Sequence, residues 1–272
     1  MAKSRFIQAI CKGLHILGKT CQPTLAYPIQ LGHMSVHFSK ALTQRPFEGQ
    51  ALVLECKKIG VGSFFIAVTT LFFVGGVFAF QFGFTMRSLG AVPYISRVTT
   101  VSIVRELGPV FTALVVGGRI GAGMAAEIGS MRVTEQIDAI RALGANPYKK
   151  LLLPRVVAAT FMLPLLNILA TFIGILGAAF VSWAEFHVTP LYFYHSALRM
   201  VLMGDLFSGF LKPFFFGFFT AIIGCYNGFT CALGTAGVGR ATTHAVVQVS
   251  LAVLILDFVL TRVFALFLLP AY

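Results

Sequence analysis

The sequence predicts an all-α, polytopic membrane protein with an N-terminal interfacial helix, five transmembrane helices, and a short cytoplasmic helix between the second and third spans. Hydrophobic residues occupy 57% of the 272 positions and charged residues only 11%, whereas soluble domains carry roughly 25% charged residues. Five apolar runs are each long enough to supply the roughly 20 helical residues that cross a bilayer. The most polar segment, residues 127–147, separates two of these runs.

The basic composition does not indicate a nucleic-acid partner. The net charge is +12, but the basic residues flank apolar runs and form no soluble platform. The charge is better explained by lysine and arginine held at the cytoplasmic membrane surface. The five cysteines are scattered and include no CxxC pair, so neither a disulfide framework nor a metal site is predicted.

Residues 1–55 form the first of two predicted units, a set of cytoplasmic or interfacial amphipathic helices. Apolar residues between Phe6 and Leu17 keep helical spacing and are surrounded by basic residues. That pattern is typical of a helix that lies on the membrane surface. The region lacks an uninterrupted apolar core followed by a small-residue cleavage site, so a cleavable signal peptide is not expected.

Two motifs in this unit are interpreted as coincidental. The segment GLHILGKT, at residues 13–20, matches the phosphate-binding pattern G-x-x-x-x-G-K-[ST]. The residues before it are helix-patterned and bulky side chains fill its loop, so nucleotide binding is not expected. His33 and His37 share a helical face, yet two histidines without a third nearby ligand are a weak metal signal.

Residues 56–272 form the second unit, which contains the five spans. We predict the spans at residues 59–86, 98–126, 152–184, 207–231 and 245–269. Lysine and arginine concentrate in cytoplasmic segments of membrane proteins, and with the N-terminus in the cytoplasm the outer segments carry only Arg87, Arg97 and Arg199. The inner segments then carry a much larger set, namely Lys3, Arg5, Lys12, Lys19, Lys40, Arg45, Lys57, Lys58, Arg132, Arg141, Lys149, Lys150, Arg155 and Arg240.

The first span is rich in phenylalanine and glycine. One interpretation is lipid-facing bulk combined with close helix contacts. The other is an apolar wall for a hydrophobic substrate, with Phe78 and Phe82 as the candidate contacts. The sequence does not decide between the two.

Charged side chains interrupt the apolar spans. They are Arg105, Glu106, Arg119, Lys212, Asp257 and Arg262. Because an ionisable group in hydrocarbon costs at least a few kcal/mol, each is expected to face a partner or a wet cavity. Arg105 and Glu106 form either a structural ion pair or a contact for a polar headgroup. Asp257 could pair with Arg262, Arg119 or Lys212.

The polar segment has the pattern of a short amphipathic helix that a soluble partner could grip. Val133, Ile137, Ile140 and Leu143 recur at three- and four-residue steps, which places them on one helical face. Ser130 or Thr134 is expected to cap the start of the helix, and Gly144 suits its left-handed end. The residues expected to contact the soluble partner are Glu127, Glu135, Ile137, Asp138 and Arg141.

Three stretches of the chain resemble the MlaE/YrbE permease family. They are VRELGPVFTALVVGGRIGAGMAAEIGSMRVTEQIDAIRALGANP at residues 104–147, YNGF followed by TAGVGRATT within residues 226–243, and SLAVLILDFVLT at residues 250–261. Members of this family are the membrane subunits of ABC transporters that work with MCE-domain proteins in lipid trafficking. The phenylalanine-rich first span departs from the family pattern.

The resemblance implies a permease and its assembly rather than an enzyme. It implies a multi-pass homodimer in the inner membrane of a Gram-negative-type bacterium, with two ATPase subunits on the cytoplasmic side and an MCE-domain protein on the periplasmic side. No cofactor is expected in this chain, because ATP and Mg would bind in the partner ATPase. The implied substrate is a phospholipid or a related lipid moved between inner and outer membranes.

The resemblance also implies roles for particular residues. Residues 132–143 would be the coupling helix that meets the ATPase. Arg105 and Glu106 fall on the family's polar pair beneath the lipid cavity, and Lys212 and Asp257 match its other intramembrane charges.

Three functions from other classes are also considered. An ion-coupled secondary carrier of a hydrophobic substrate would use Glu106 and Asp257 as proton relays and would need no ATP. A lipid-modifying enzyme would need a nucleophile or metal constellation, and the histidines of the sequence do not cluster with carboxylates. A membrane scaffold would not require charges inside its spans.

Overall fold

The computed structural model describes residues 30–36, 38, 39, 41 and 49–268. From residue 49 onward the described chain is helical, with short connections between its helices. The helices are α1 Gly49–Ser88, α2 Val92–Val133, α3 Gln136–Ala142, α4 Tyr148–Phe186, α5 Pro190–Met200, α6 Met203–Phe229 and α7 Thr235–Leu268.

Five of these helices, α1, α2, α4, α6 and α7, are long and apolar enough to cross a membrane. Each contains one of the five predicted spans to within two residues, so the prediction of an all-α, five-span fold is confirmed. Helix α7 begins at Thr235, ten residues before the span predicted for it. Helix α1 has 40 residues, about 60 Å of helix, and therefore extends well beyond a hydrocarbon layer of about 30 Å.

The N-terminal unit is described only in part. The amphipathic pattern from Phe6 to Leu17, the GLHILGKT motif and His37 lie outside the described residues. Residues 30–36 are helical, and His33 within them is exposed. Met34 is buried, and the ring of Phe38 packs edge-on against Phe218 with centroids 5.6 Å apart. This part of the unit therefore lies against α6.

Small residues allow the long helices to approach closely. Helix α1 packs along α4, and a Cβ atom added at Gly75 would collide with the carbonyl group of Gly174. Helices α2 and α6 approach in the same way, since a Cβ at Gly224 would lie 2.8 Å from the carbonyl oxygen of Gly121. Glycines therefore pack the helices together within one chain.

The helix predicted at residues 132–143 is shorter than expected and its predicted start is wrong. Val133 ends α2, and the hydroxyl groups of Ser130 and Thr134 donate to carbonyls one turn earlier in the chain instead of capping α3. The turn between α2 and α3 is made by Glu135 with φ 58°, a left-handed conformation that is uncommon for a residue other than glycine. Gly144, with φ 74°, follows the end of α3 as predicted.

We expect Gly75→Ala to lower the thermal unfolding temperature of the detergent-solubilised protein by several degrees. The added methyl group collides with backbone that cannot rotate away, and overpacking of this kind costs about 1–3 kcal/mol. Gly123→Ala is the matched control, because Gly123 is also helical and a Cβ there meets nothing within 4 Å. The control should be neutral or stabilising, and equal unfolding temperatures for the two variants would contradict the close α1–α4 packing.

Candidate functional site

A network of charged side chains lies inside the helix bundle and centres on Lys212 of α6. The Lys212 side chain has 0% exposed surface. Its ammonium group forms a close ion pair with the Glu106 carboxylate of α2, and lies 2.9 Å from Asp257 Oδ1 and 2.7 Å from Thr261 Oγ1 on α7. A buried ammonium group is tolerated only when its donors are paired, and here acceptors from two other helices meet it.

Arg105 extends the network to the start of α6. Its Nε atom lies 3.7 Å from Glu106 Oε1, and its guanidinium nitrogen lies 3.8 Å from Asp205 Oδ1. Arg105 and Glu106 occupy a π-helical turn of α2, residues 103–107, a local widening of the helix often found at functional sites. The Arg105 side chain is 30% exposed, so its charge is partly accessible from outside the bundle.

The structure therefore chooses among the pairings that the sequence left open. Asp257 pairs with Lys212, and does not pair with Arg119 or Arg262. The Arg119 guanidinium donates to Ser63 Oγ of α1 at 2.6 Å. Arg262 is exposed, and within the described part of the chain it makes no ion pair.

Asp205 and Thr261 belong to this network but were missed in the sequence analysis. Asp205 is 4% exposed, and its Oδ2 atom accepts a hydrogen bond from the Leu202 amide at 3.2 Å in the first turn of α6. Its neighbours in sequence are typical of a membrane interface, so the sequence did not indicate that Asp205 is buried. Thr261 follows Asp257 by one helical turn, so the i, i+4 spacing was a signal that could have linked the two residues.

Phe78 and Phe82 form a pair on α1. Their ring centroids are 4.5 Å apart and both side chains are half-buried. They lie one turn apart on the same helical face, as a substrate wall would require. The charge network is built by α2, α6 and α7, so the two predicted contact sets belong to different helices.

A second charged cluster lies at the end of the bundle that carries α3. Glu127 of α2 is paired with Lys58 of α1 and with Arg155 of α4, whose guanidinium nitrogen is 3.2 Å away. Arg155 is buried, lies 3.3 Å from Glu55 Oε1, and donates to the Leu151 carbonyl at 2.9 Å. Glu127, which the sequence analysis placed at the partner surface, therefore also joins three membrane-crossing helices.

Helix α3 divides into a buried anchor and an exposed surface. Ile137 is 4% exposed and packs in the main hydrophobic core, so it holds α3 in place rather than presenting a contact to a partner. Asp138 and Arg141 are exposed and form an ion pair of 3.0 Å on the outer face of α3. Leu143 is 84% exposed, because α3 ends at Ala142 and Leu143 lies past its last turn.

No group of three metal-ligating side chains gathers among the residues that the structure describes. The described cysteines, Cys56, Cys225 and Cys231, are free thiols. The chemical features of the site are thus two clusters of ion pairs joined by α2 and an exposed charged surface on α3.

The chain is similar to proteins of one family over most of its length. The family model described as Permease MlaE matches residues 52–263, which include both charge clusters and α3. A probable ABC transporter permease protein of Rickettsia prowazekii is 35% identical over 258 residues, covering 94% of this chain and 98% of that relative.

Two further relatives match about three quarters of the chain. A probable ABC transporter permease protein of Synechocystis is 42% identical over 203 residues, covering 75% of this chain and 77% of the relative. Protein TRIGALACTOSYLDIACYLGLYCEROL 1, chloroplastic, of Arabidopsis thaliana is 37% identical over 210 residues, covering 77% of this chain and 60% of the relative.

We expect Lys212→Met to lower the free energy of unfolding by about 2–3 kcal/mol, because it leaves the partly exposed carboxylates of Glu106 and Asp257 without their cation. Arg262→Met is the control and should change stability by less than about 0.5 kcal/mol, since Arg262 is exposed. Adding Glu106→Gln and Asp257→Asn to Lys212→Met should restore part of the loss. Thermal unfolding in detergent measures all three variants, and a Lys212→Met protein as stable as the control would contradict the network.

Proposed function

The chain belongs to the MlaE permease family, and from this premise we propose that it moves phospholipids or related lipids between membranes as one half of a permease homodimer. As a permease of this family it is a non-catalytic, multi-pass membrane subunit of an ABC transporter, whose ATP-hydrolysing subunit is a separate partner chain. The lipid cargo, the homodimer and the partner on the outer side are the proposed parts.

The observation that carries this proposal is the construction of α3. A short helix between two membrane-crossing helices exposes Asp138 and Arg141, while Ile137 fixes it to the core. A surface of this kind can receive a force from a soluble protein and pass it to the bundle. We assign it to ATPase coupling, with Glu135, Asp138 and Arg141 as contacts and Ile137 as the anchor.

The orientation of the chain follows from its charge distribution. The end of the bundle that carries α3 holds most of the lysines and arginines of the connections, which favours the cytoplasmic side. The opposite end, which carries α5, then faces the periplasm. We propose that the chain lies in the inner membrane of a Gram-negative-type bacterium, with a cytoplasmic N-terminus and an MCE-domain protein at the α5 end.

Helix α2 is the element that can connect the ATPase to the lipid. Its last residue, Val133, is two residues from α3, and Glu106 lies 27 positions earlier, about 40 Å along the helix. Movement of α3 would therefore reach the Lys212 network through one helix. A change in that network alters the relative position of α2, α6 and α7.

The proposed lipid site combines an apolar wall and a charge. Acyl chains would lie against Phe78 and Phe82, and the partly exposed Arg105 would attract a phosphate through charge-assisted hydrogen bonds. The Arabidopsis relative is named for a glycerolipid, which supports a lipid cargo. Within one chain only 17% of the most apolar stretch of α7 is buried. Its exposed apolar face is available to a second copy of the chain.

An ion-coupled carrier is less well supported. It needs Glu106 and Asp257 as proton relays, and both carboxylates are paired with Lys212. Membership of an ABC transporter permease family favours ATP as the energy source.

We expect charge reversal on α3 to uncouple the partner ATPase without unfolding the permease. The double variant Asp138→Arg with Arg141→Asp keeps an ion pair at the same spacing but inverts the surface seen by the partner. It should reduce co-purification of the ATPase and its lipid-stimulated hydrolysis by about tenfold or more. Glu185→Arg reverses an exposed charge at the α5 end and serves as the control, and equal hydrolysis in both variants would contradict the coupling role of α3.

We expect removal of the aromatic wall to slow lipid transfer. The complex of permease, ATPase and MCE-domain protein is reconstituted in phospholipid vesicles, and ATP-dependent movement of a labelled phospholipid is measured. Phe78→Ala with Phe82→Ala should lower the transfer rate several-fold, whereas Phe73→Ala should not, because Phe73 is 65% exposed on the surface of α1. Transfer driven by a pH gradient in the absence of ATP would instead support the ion-coupled carrier.

A further inference from the structure

A group of basic side chains at the α5 end of the bundle is separate from both the Lys212 network and the Arg155 cluster. Helix α5 packs against the first turns of α2, and an open pocket of about 450 Å³ lies between the two helices. Arg97 of α2 and Arg199, His195 and Ser196 of α5 line this pocket. Its size lies within the range of about 300–1,000 Å³ typical of small-ligand sites.

The pocket concentrates positive charge on the side of the membrane where the chain has least of it. Of the three arginines assigned to outer segments, Arg97 and Arg199 line this one pocket. Two positive charges on the wall of one pocket attract an anion. The pocket is therefore not explained by the general distribution of basic residues.

No acidic side chain of the described residues neutralises these arginines. Glu106, Asp205 and Asp257 belong to the Lys212 network, and Glu55 and Glu127 belong to the Arg155 cluster. Glu185 lies at the same end of the bundle but makes no ion pair with another described residue.

Arg97 is held in position by the ring of Tyr94, which its guanidinium carbon overlies at 5.3 Å.

Ser196 supplies an independent sign that the pocket takes a ligand. It is 6% exposed, and its Oγ atom has no hydrogen-bond partner among the described residues. A helical serine can donate to the carbonyl four residues earlier, as Ser182 does to Ala178 at 2.8 Å and Ser250 does to Val246 at 3.0 Å. A buried hydroxyl that does not do so, on the wall of a basic pocket, is a donor available to an anion.

We propose that this pocket binds a phosphate group through Arg97, Arg199 and Ser196, and that the phosphate belongs to the headgroup of an anionic lipid in the outer leaflet. Two arginines and a hydroxyl group are the donors that phosphate oxygens prefer. The lipid is favoured as the source because α5 exposes Leu191, Tyr192 and Leu198, the side chains of a helix at the level of lipid headgroups. This site goes beyond the proposed function, since it would bind whether or not the same lipid is transported.

The test uses the full-length chain, purified in detergent and freed of lipid, and native mass spectrometry of bound dimyristoyl phosphatidylglycerol. The double variant Arg97→Gln with Arg199→Gln should weaken binding by about tenfold or more, because charge-assisted hydrogen bonds to the phosphate are lost, and Ser196→Ala should weaken it several-fold. Arg87→Gln is the matched control, an exposed outer-side arginine that does not line the pocket. Arg105→Gln should also keep this binding, because Arg105 belongs to the separate network inside the bundle.

Inorganic phosphate is added as a competitor to distinguish the sources of the anion. If millimolar phosphate fails to displace the lipid, the pocket is a headgroup site. If phosphate displaces the lipid fully, the pocket is a site for the free anion. Either result supports phosphate binding. Equal affinities for the double variant and for Arg87→Gln would overturn the proposal. The proposal would also be overturned if the double variant kept the lipid but no longer co-purified with an MCE-domain protein, because the arginines would then serve a protein contact. Because lipid transfer is not the readout, either negative result leaves the proposed transport function untouched.

Discussion

A buried ammonium group imposes the central constraint on this structure. Hydrocarbon offers no water to solvate the charge of Lys212, so protein groups must neutralise it. The acceptors that meet it come from α2 and α7, and pairing one side chain of α6 therefore fixes the relative depth and rotation of three helices. Helix α4 is positioned against α1 by two means, the close backbone contact at Gly75 and Gly174 and the ion pair of Arg155 with Glu55. Ion pairs and close backbone contacts thus act together in fixing the positions of the helices.

Helix α2 belongs to both charge clusters and therefore connects the two ends of the protein. Glu127, near one end, is paired with α1 and α4, while Glu106, near the other end, is paired with α6. Two π-helical turns, residues 103–107 and 113–117, lie along the same helix. Because such turns depart from the regular hydrogen-bond ladder, they are positions at which a helix can bend or shift at low cost. Helix α2 therefore connects the two charge clusters and also contains the positions at which it can bend.

The sequence predicted the features that depend on local composition, and did not predict those that depend on packing. Apolar runs located the five spans because hydropathy alone determines which segments enter the bilayer. The partner of Asp257 could not be chosen, since Arg262, Arg119 and Lys212 are equally plausible until the helices are assembled. Ile137 and Leu143 were assigned to one face, yet α3 ends between them, so the first is buried and the second exposed. Asp205 was missed because its ion-pair partner, Arg105, lies on another helix and not among its neighbours in sequence.

The connections of α3 determine which helix receives a force applied to it. Only Thr134 and Glu135 separate α2 from α3, and Glu135 is held in a left-handed conformation that allows little further adjustment. The connection to α4 spans residues 143–147 and contains Gly144, so it is longer and more compliant. A displacement of α3 would therefore pass first into α2. Helix α4 would follow through the Arg155 pair with Glu127, the Lys212 network would resist at the far end, and the resulting strain would fall on the part of α2 that contains the π-helical turns.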